Sequence, residues 1–353
     1  MTIFEGTIIT CDEKDSVAKF LVEDEGKILF VGDELPPQFS KDERVYLEKK
    51  TLIPSFSLPF FNVQFSKEIS ISETVKSVQT KIEKLTSEGF LFYGIDVENE
   101  SISNIKSIQE NPLVKIYTPF SVEKNKIKFL SKEPEKNINK IRLDIDLDEL
   151  AKIDLSTIKD NREVIIRTKN SEQIKNAITE IVKSNTSTKF TIIFSSEIDI
   201  NDIYLCKKYG ISLCLEIDKN FASQNDSQIN VGQIVRSGVD FSMNYMAEKN
   251  PFSIIEKFAN ASSPETRVSV YELLRSMTYN ATKLCSEENM RGSLEVDKKA
   301  DMLMLSQSPY SVDKNKLEDI KIETVFADGK IYKNEGTKKT KFEKIKRIVY
   351  NKR

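Results

Sequence analysis

From residue 51 onward, short apolar runs alternate with segments of helical spacing. Eight runs stand out, at 51–56, 89–97, 114–118, 140–147, 163–168, 190–195, 211–217 and 239–246. Between many of them the apolar residues recur every three or four positions, the period of an amphipathic helix. Ile71, Val75, Val78, Ile82 and Leu85 form one such stripe, and Ile174, Ala177, Ile178 and Ile181 another. Strand and helix alternating through eight strands predicts an α/β fold, a (β/α)8 TIM-like barrel.

The two ends follow a different pattern. Residues 7–10, 17–22 and 27–31 are short β-rich runs, with Asp24-Glu25-Gly26 as a hairpin turn between the last two. Val45-Tyr46-Leu47 extends this pattern toward Pro54. Beyond Ser269 a helix is expected over 270–285, then β runs at 301–305 and 324–332, the second turning at Asp328-Gly329. Both ends are therefore expected to pair in one small composite β-sandwich domain, residues 1–53 with 298–336, around a barrel of residues 54–297. A basic tail, 337–353, follows. Its stretch 338–353 holds eight basic residues and one acid, with Phe342, Ile345, Ile348 and Val349 at helical spacing. That tail reads either as a solvated terminus or as a contact for a membrane surface, RNA or a partner.

Composition narrows the chemistry. The 353 residues carry 53 Lys and Arg against 55 Asp and Glu, so no net charge draws the chain to nucleic acid or an anionic surface. Cys11, Cys206, Cys214 and Cys285 form no CxxC pair and are expected as reduced, buried thiols. The first six residues show no signal-peptide pattern, and no apolar run approaches the ~18 residues of a membrane span, so a cytoplasmic location is expected. There is no GxGxxG and no P-loop. Above all, the chain contains no histidine. Ser-His-Asp and Cys-His nucleophile systems are thereby excluded, and zinc centres lose their usual imidazole ligands.

The ends carry a resemblance. The opening Gly6-Thr-Ile-Ile-Thr, the hairpin Glu25-Gly-Lys-Ile-Leu-Phe-Val-Gly32, Leu52-Ile-Pro-Ser-Phe56, Thr278-Tyr-Asn-Ala281 and Gly292-Ser-Leu-Glu-Val-Asp-Lys-Lys-Ala-Asp301 resemble the amidohydrolase superfamily, in particular amidohydrolase family 3. The resemblance implies metal ligands at the carboxyl ends of the barrel strands: a His-x-His pair on strand 1, a Lys or Glu on strand 4, His on strands 5 and 6, and Asp on strand 8. Carried over, these positions fall on Phe60 and Asn62, Lys140, Arg167, Phe194 and Asn244. Only Lys140 keeps a residue type the family uses. Phe offers no lone pair, Arg is a permanent cation, and Asn lacks the charge of a general base. The resemblance thus implies the fold while these residues argue against the activity.

Several other groups remain candidates. Lys140, Arg167 and Asn244 are placed to bind a small anionic ligand, Arg by a bidentate grip on carboxylate or phosphate; the competing reading is an ion pair between Arg167 and Asp144 or another acid. Asp144, Asp146 and Asp148 alternate, so a strand would turn them to one face as oxygen ligands for a hard cation, unless the run caps the next helix. Asp96, Glu98, Glu216 and Asp218 follow strands 2 and 7 and would suit a two-carboxylate glycosidase, or be solvated loop acids. Phe60, Phe61 and Phe194 are expected to fill the vacated metal cavity. Ser-Lys dyads stay open.

The sequence therefore predicts an amidohydrolase-like barrel without metal or cofactor, a pseudoenzyme acting as a binding or assembly subunit, as a homo-oligomer or paired with an active relative. The alternative is a hydrolase of C–N or glycosidic bonds working through carboxylates at the barrel mouth.

Overall fold

The computed structural model describes residues 1–63, 70–98, 116–117, 120–121, 142–146, 163–184, 187–218, 221, 229–246, 250–327, 329–333 and 342–344. In chain order the strands are β1 (Thr2–Ile9), β2 (Val17–Asp24), β3 (Lys27–Gly32), β4 (Glu43–Pro54), β5 (Phe56–Val63), β6 (Phe90–Glu98), β7 (Ile116–Tyr117), β8 (Phe120–Ser121), β9 (Arg142–Asp146), β10 (Glu163–Arg167), β11 (Lys189–Phe194), β12 (Ser212–Ile217), β13 (Phe241–Tyr245), β14 (Met302–Leu305), β15 (Ile322–Ala327), β16 (Lys330–Lys333) and β17 (Phe342–Lys344). The helices are α1 (Ile71–Ser87), α2 (Ser171–Ser184), α3 (Ile200–Tyr209), α4 (Val231–Ser237), α5 (Phe252–Ala259), α6 (Val270–Met277) and α7 (Tyr279–Leu284).

Two sheets organise the chain. The first has the order β17-β16-β15-β14-β4-β1-β2-β3, so strands from both ends form one sheet, joined where β4 pairs antiparallel with β14. Glu25 and Gly26, both at positive φ, make the predicted tight turn between β2 and β3. The sheet curls on itself: Phe4 of β1 and Phe326 of β15 lie three strands apart, yet their rings meet edge to face at 5.2 Å. Leu21, Leu47, Leu52, Leu294, Met302 and Ile331 fill the same core. Phe342, one of the residues at helical spacing, instead lies in an edge strand, Phe342–Lys344, paired with β16; Ile345, Ile348 and Val349 lie outside the described residues.

The second sheet is parallel and runs β13-β12-β11-β10-β9-β8-β6-β5, with β7 also paired to β6. Taking β7 and β8 as one interrupted strand, this is the eight-strand order the alternation predicts. The first predicted run divides between the sheets. Residues 51–54 end β4, and the next strand begins at Phe56. At the crossing, Ser55 donates to the Asp301 carbonyl at 3.0 Å and Phe56 to the Gly89 carbonyl at 2.9 Å.

The helical stripes pack as their spacing requires. Val78, Ile82 and Leu85 of α1, and Ile174, Ala177, Ile178 and Ile181 of α2, are all buried in the main core against the outer faces of the strands. Capping boxes start α1 at Ser70/Glu73 and α6 at Ser269/Glu272. The helix expected over 270–285 breaks in two at Thr278, whose backbone leaves the helical region at φ −115 and ψ −93. Its hydroxyl turns back to the Leu274 carbonyl at 2.9 Å.

A buried ion pair fastens the two parts. Arg291, in the return from α7 to β14, donates to Asp301 at 2.8 Å and Glu287 at 3.2 Å and lies over the Phe92 ring of β6 at 5.3 Å. Removing one partner of a buried pair leaves an uncompensated charge, at about 3–5 kcal/mol. Asp301→Ala is therefore expected to lower unfolding free energy by about 3 kcal/mol or more, read by urea denaturation. A change below about 1 kcal/mol, the surface-pair value, would mean that Asp301 contributes no more than an exposed pair does.

Candidate functional site

In parallel α/β sheets of this order, sites form at the carboxyl ends of the strands. Alternation decides which residues face inward there. On β10 and β11, Ile165 and Ile193 join Phe60, Cys214 and Leu284 in an interior cluster, whereas Val164, Ile166, Ile192 and Phe194 join the outer core. Arg167, Glu216 and Asn244 continue the inward rows of β10, β12 and β13. Phe194 does not: its ring sits in the outer core, so the expectation that it fills the mouth is corrected. Phe61 is likewise in the outer core, and Phe60 is the one expected phenylalanine in the interior. The inward row of β11 is Lys189, Thr191 and Ile193, whose polar members mark it.

Phe60 and Asn244 are locked together. The ladder from β5 to β6 pairs Leu58 with Tyr93 and then Phe61 with Ile95, so three residue steps on β5 face two on β6. This bulge takes Pro59 and Phe60 out of the ladder, and Pro59 has no N–H to give it. The Asn244 side chain, fully buried on β13, serves the displaced peptide groups. Its Oδ1 accepts from the Phe60 N–H at 3.1 Å, and its Nδ2 donates to the Phe60 carbonyl at 2.8 Å. A carboxamide offers both a donor and an acceptor in that arrangement, which an ionised carboxylate does not. Both ends of the Asn244 amide are thus engaged by the backbone of Phe60.

Arg167 Nη1 lies 3.0 Å from Glu216 Oε1, and the two side chains are 23% and 32% exposed. The ion-pair reading of Arg167 therefore holds with Glu216 as the partner, linking β10 to β12 across β11. Glu216, placed among the glycosidase candidates, has its charge balanced by that guanidinium. Asp218 accepts from the Phe221 N–H at 2.8 Å, a local turn bond. The side chains of Asn62, Asp96, Glu98, Lys140, Asp144 and Asp146, with all of Asp148, lie outside the described residues.

A divalent metal of the kind the resemblance implies does not fit the described positions. Phe60 supplies no ligand atom, Arg167 adds positive charge, the Asn244 carboxamide is committed to the backbone, and Phe194 faces away. Among the described residues no group of three or more Cys, Asp or Glu side chains converges as a metal cluster.

One Ser-Lys contact does occur. Lys298 Nζ is 2.6 Å from Ser293 Oγ and 2.6 Å from Glu295 Oε2, and Ser293 also bonds Glu295. Partial burial pushes the Glu295 carboxyl up, but the bonds from Lys298 and Ser293 outweigh it and hold that carboxyl below its usual range. Lys298 is then a paired cation, and Ser293 is buried. This is a knot in the turn before β14, unsuited to a nucleophile that needs an available base and access. The four cysteines are buried thiols, and burial pushes Cys11 and Cys206 up to about 12.

Against known proteins, a sequence model of the amidohydrolase family matches residues 243–332. No curated protein matches. Among solved structures, a prolidase complexed with N-methylphosphonate-L-proline is similar at 14% identity, covering 94% of this chain and 99% of its own, with a TM-score of 0.68. A mutant atrazine chlorohydrolase from Arthrobacter aurescens TC1, complexed with zinc and atraton, is similar at 11% identity over 94% and 95%, TM-score 0.70. A guanine deaminase from C. acetobutylicum with bound guanine is similar at 14% identity over 93% and 99%, TM-score 0.65. No helix among the described residues is long and apolar enough to cross a membrane.

Asn244→Asp, which restores the acid the resemblance implies on strand 8, tests the lock. An ionised carboxylate would still accept from Phe60 N–H but would face the Phe60 carbonyl with no proton to donate. The expected cost at pH 7 is about 2–3 kcal/mol in thermal or urea unfolding. The carbonyl and burial both raise that carboxyl in the folded state, so the folded form binds its proton more tightly than the unfolded chain. Stability is thus present at low pH and lost as pH rises through the raised value. The deficit against wild type should shrink below about pH 4; a deficit that is flat with pH would discard the arrangement. Residues 243–332 thus match the amidohydrolase family, and the chain shares its fold with these solved structures.

Proposed function

We propose that this protein is an amidohydrolase-fold barrel whose metal centre has been replaced by structural contacts, and that it works as a binding or assembly subunit without metal-dependent hydrolysis. The bond between Asn244 and Phe60 carries the reading. At the position where the resemblance implies the strand 8 acid, the Asn244 side chain bonds the backbone of residue 60, and the Phe60 side chain at the strand 1 position offers no ligand atom. The absence of histidine supports it, since four of the implied positions, on three strands, call for imidazole and none can be supplied. In this reading the barrel is closed, the composite domain spans 1–53 and 298–336, and any ligand is met by the Arg167–Glu216 pair at the mouth.

The second reading, a hydrolase acting on C–N bonds, is favoured by the similar structures, which include a prolidase and a guanine deaminase. It would need carboxylates such as Asp144 and Asp146 to take over from imidazole as oxygen ligands for a metal. A glycosidase variant has less support, because Glu216 is held by Arg167.

The two readings separate on one preparation. The full chain, purified without a metal-affinity tag and supplemented with zinc or manganese, is desalted and its metal measured by elemental mass spectrometry. The same sample is assayed for ammonia release from purine bases and for proline release from dipeptides. The expected result is far less than one metal per chain and no turnover above buffer. One tightly held metal per chain, or turnover that rises with added metal, would overturn the proposal in favour of the hydrolase.

A further inference from the structure

The inward rows of the parallel sheet have a second end. Glu163 opens β10, Lys189 opens β11, Ser212 opens β12, and Asp240 stands immediately before β13. By the two-residue period of a strand, these are the polar first members of the rows that run up to Arg167, Ile193, Glu216 and Asn244. All four line one cavity of about 110 Å³ at the amino ends of the strands, and α7 with the turn after it adds Lys283 and Glu288 to the wall. One water needs roughly 10–15 Å³ of such space, so this cavity admits a small molecule. Leu284 lines it too and belongs to the interior cluster with Ile165, Ile193 and Cys214, so apolar side chains lie between the cavity and the mouth.

The charges around the cavity are only partly matched. Lys283 Nζ meets Asp240 Oδ1 at 2.7 Å. Lys189 is exposed and has no ion-pair partner among the described residues. Glu288 Oε2 is buried with no hydrogen-bond partner among the described residues, a costly state for a carboxylate oxygen. The terminal torsion of a glutamate is broad, so a rotation of the carboxyl turns that oxygen to the cavity. A simple anion would meet three acids here, Glu163, Asp240 and Glu288. A bare divalent cation would meet two lysines, and among the described residues no three ligating side chains converge on one point. A molecule that carries an ammonium and a carboxylate a few bonds apart answers both unmatched groups by charge-assisted hydrogen bonds.

We infer that the amino end of the parallel sheet is a binding site for a small zwitterion of the α-amino-acid class, with Lys189 holding its carboxylate and Glu288 its ammonium group. The cavity volume restricts the ligand to a short side chain. The site stands at the opposite end of the strands from the Arg167–Glu216 pair and does not rest on the function proposed for that end.

The folded full-length chain is titrated with L-alanine, acetate and methylammonium, each followed by saturation-transfer NMR of its own methyl signal. L-Alanine is expected to bind with a Kd of about 1 mM or tighter, at least tenfold more tightly than either half-molecule. Lys189→Met and Glu288→Gln, each with the circular dichroism of the wild type, are expected to weaken it at least tenfold. Hydrogen exchange on the wild-type chain locates the ligand without any substitution. Saturating L-alanine is expected to slow exchange at residues 188–190 and 211–213 and to leave the β2–β3 hairpin unchanged. No binding of L-alanine would overturn the inference, and so would acetate or methylammonium binding as tightly, the mark of a plain ion site. Binding that survives both substitutions, or protection that appears around Arg167 and Glu216 instead, would place the ligand elsewhere and overturn it as well. Should a variant fail to fold, the exchange pattern of the wild-type chain decides.

Discussion

The carboxamide of Asn244 against the backbone of Phe60 is the contact on which the interior of this protein depends. A bulge in β5 takes the peptide groups of Phe60 out of register with β6, and a buried amide that stays unpaired costs more than a typical hydrogen bond returns. Asn244 removes that cost in one step and ties the ends of the parallel sheet together. The interior cluster of Phe60, Ile165, Ile193 and Cys214 is apolar and fully or almost fully buried, and low local dielectric strengthens such bonds.

The choice of amide over acid follows from the same surroundings. A carboxylate fits beside a bound cation, whose charge offsets its desolvation. Without the cation, a buried carboxylate aimed at a carbonyl oxygen is a double penalty. The neutral isostere keeps the acceptor and converts the repelling oxygen into a donor. On the function proposed above, loss of the histidines and the change to Asn244 are one event physically: once the cation has no ligands, the acid has no reason to remain ionised there. Phe60 then uses the freed volume, as close packing requires.

Much of the fold is legible in the chain. The stripes through Val78, Ile82 and Leu85 and through Ile174 to Ile181 state their buried faces directly, because a helix is the regular structure that gathers a 3.6-residue period onto one side. The turn at Glu25-Gly26 is equally plain, since positive φ at two successive residues restricts what can stand there. The site is less legible. Residues 190–194 of β11 form a nearly unbroken apolar run, so hydrophobicity does not tell which members face inward, and it puts Phe194 on the wrong face. The weak signal is the polar pair Lys189 and Thr191, two apart, on the inward row. The lock itself has no local signature, because it requires the bulge at Pro59–Phe60 and the approach of a strand 184 residues away.

The Arg167–Glu216 pair shows how far the mouth departs from a plain surface. An exposed pair contributes about 0–1 kcal/mol, so stability alone gives little reason to hold two opposite charges at strand ends. Partial exposure, at 23% and 32%, also leaves each charge accessible to solvent from the same side. A strand pair fixed at β10 and β12 keeps the two groups in register with little freedom to lose, which is the condition for recognising something else with small entropic cost. A lone Arg167 would have favoured any anion by charge. Paired with Glu216, that charge is balanced at the strand ends of β10 and β12.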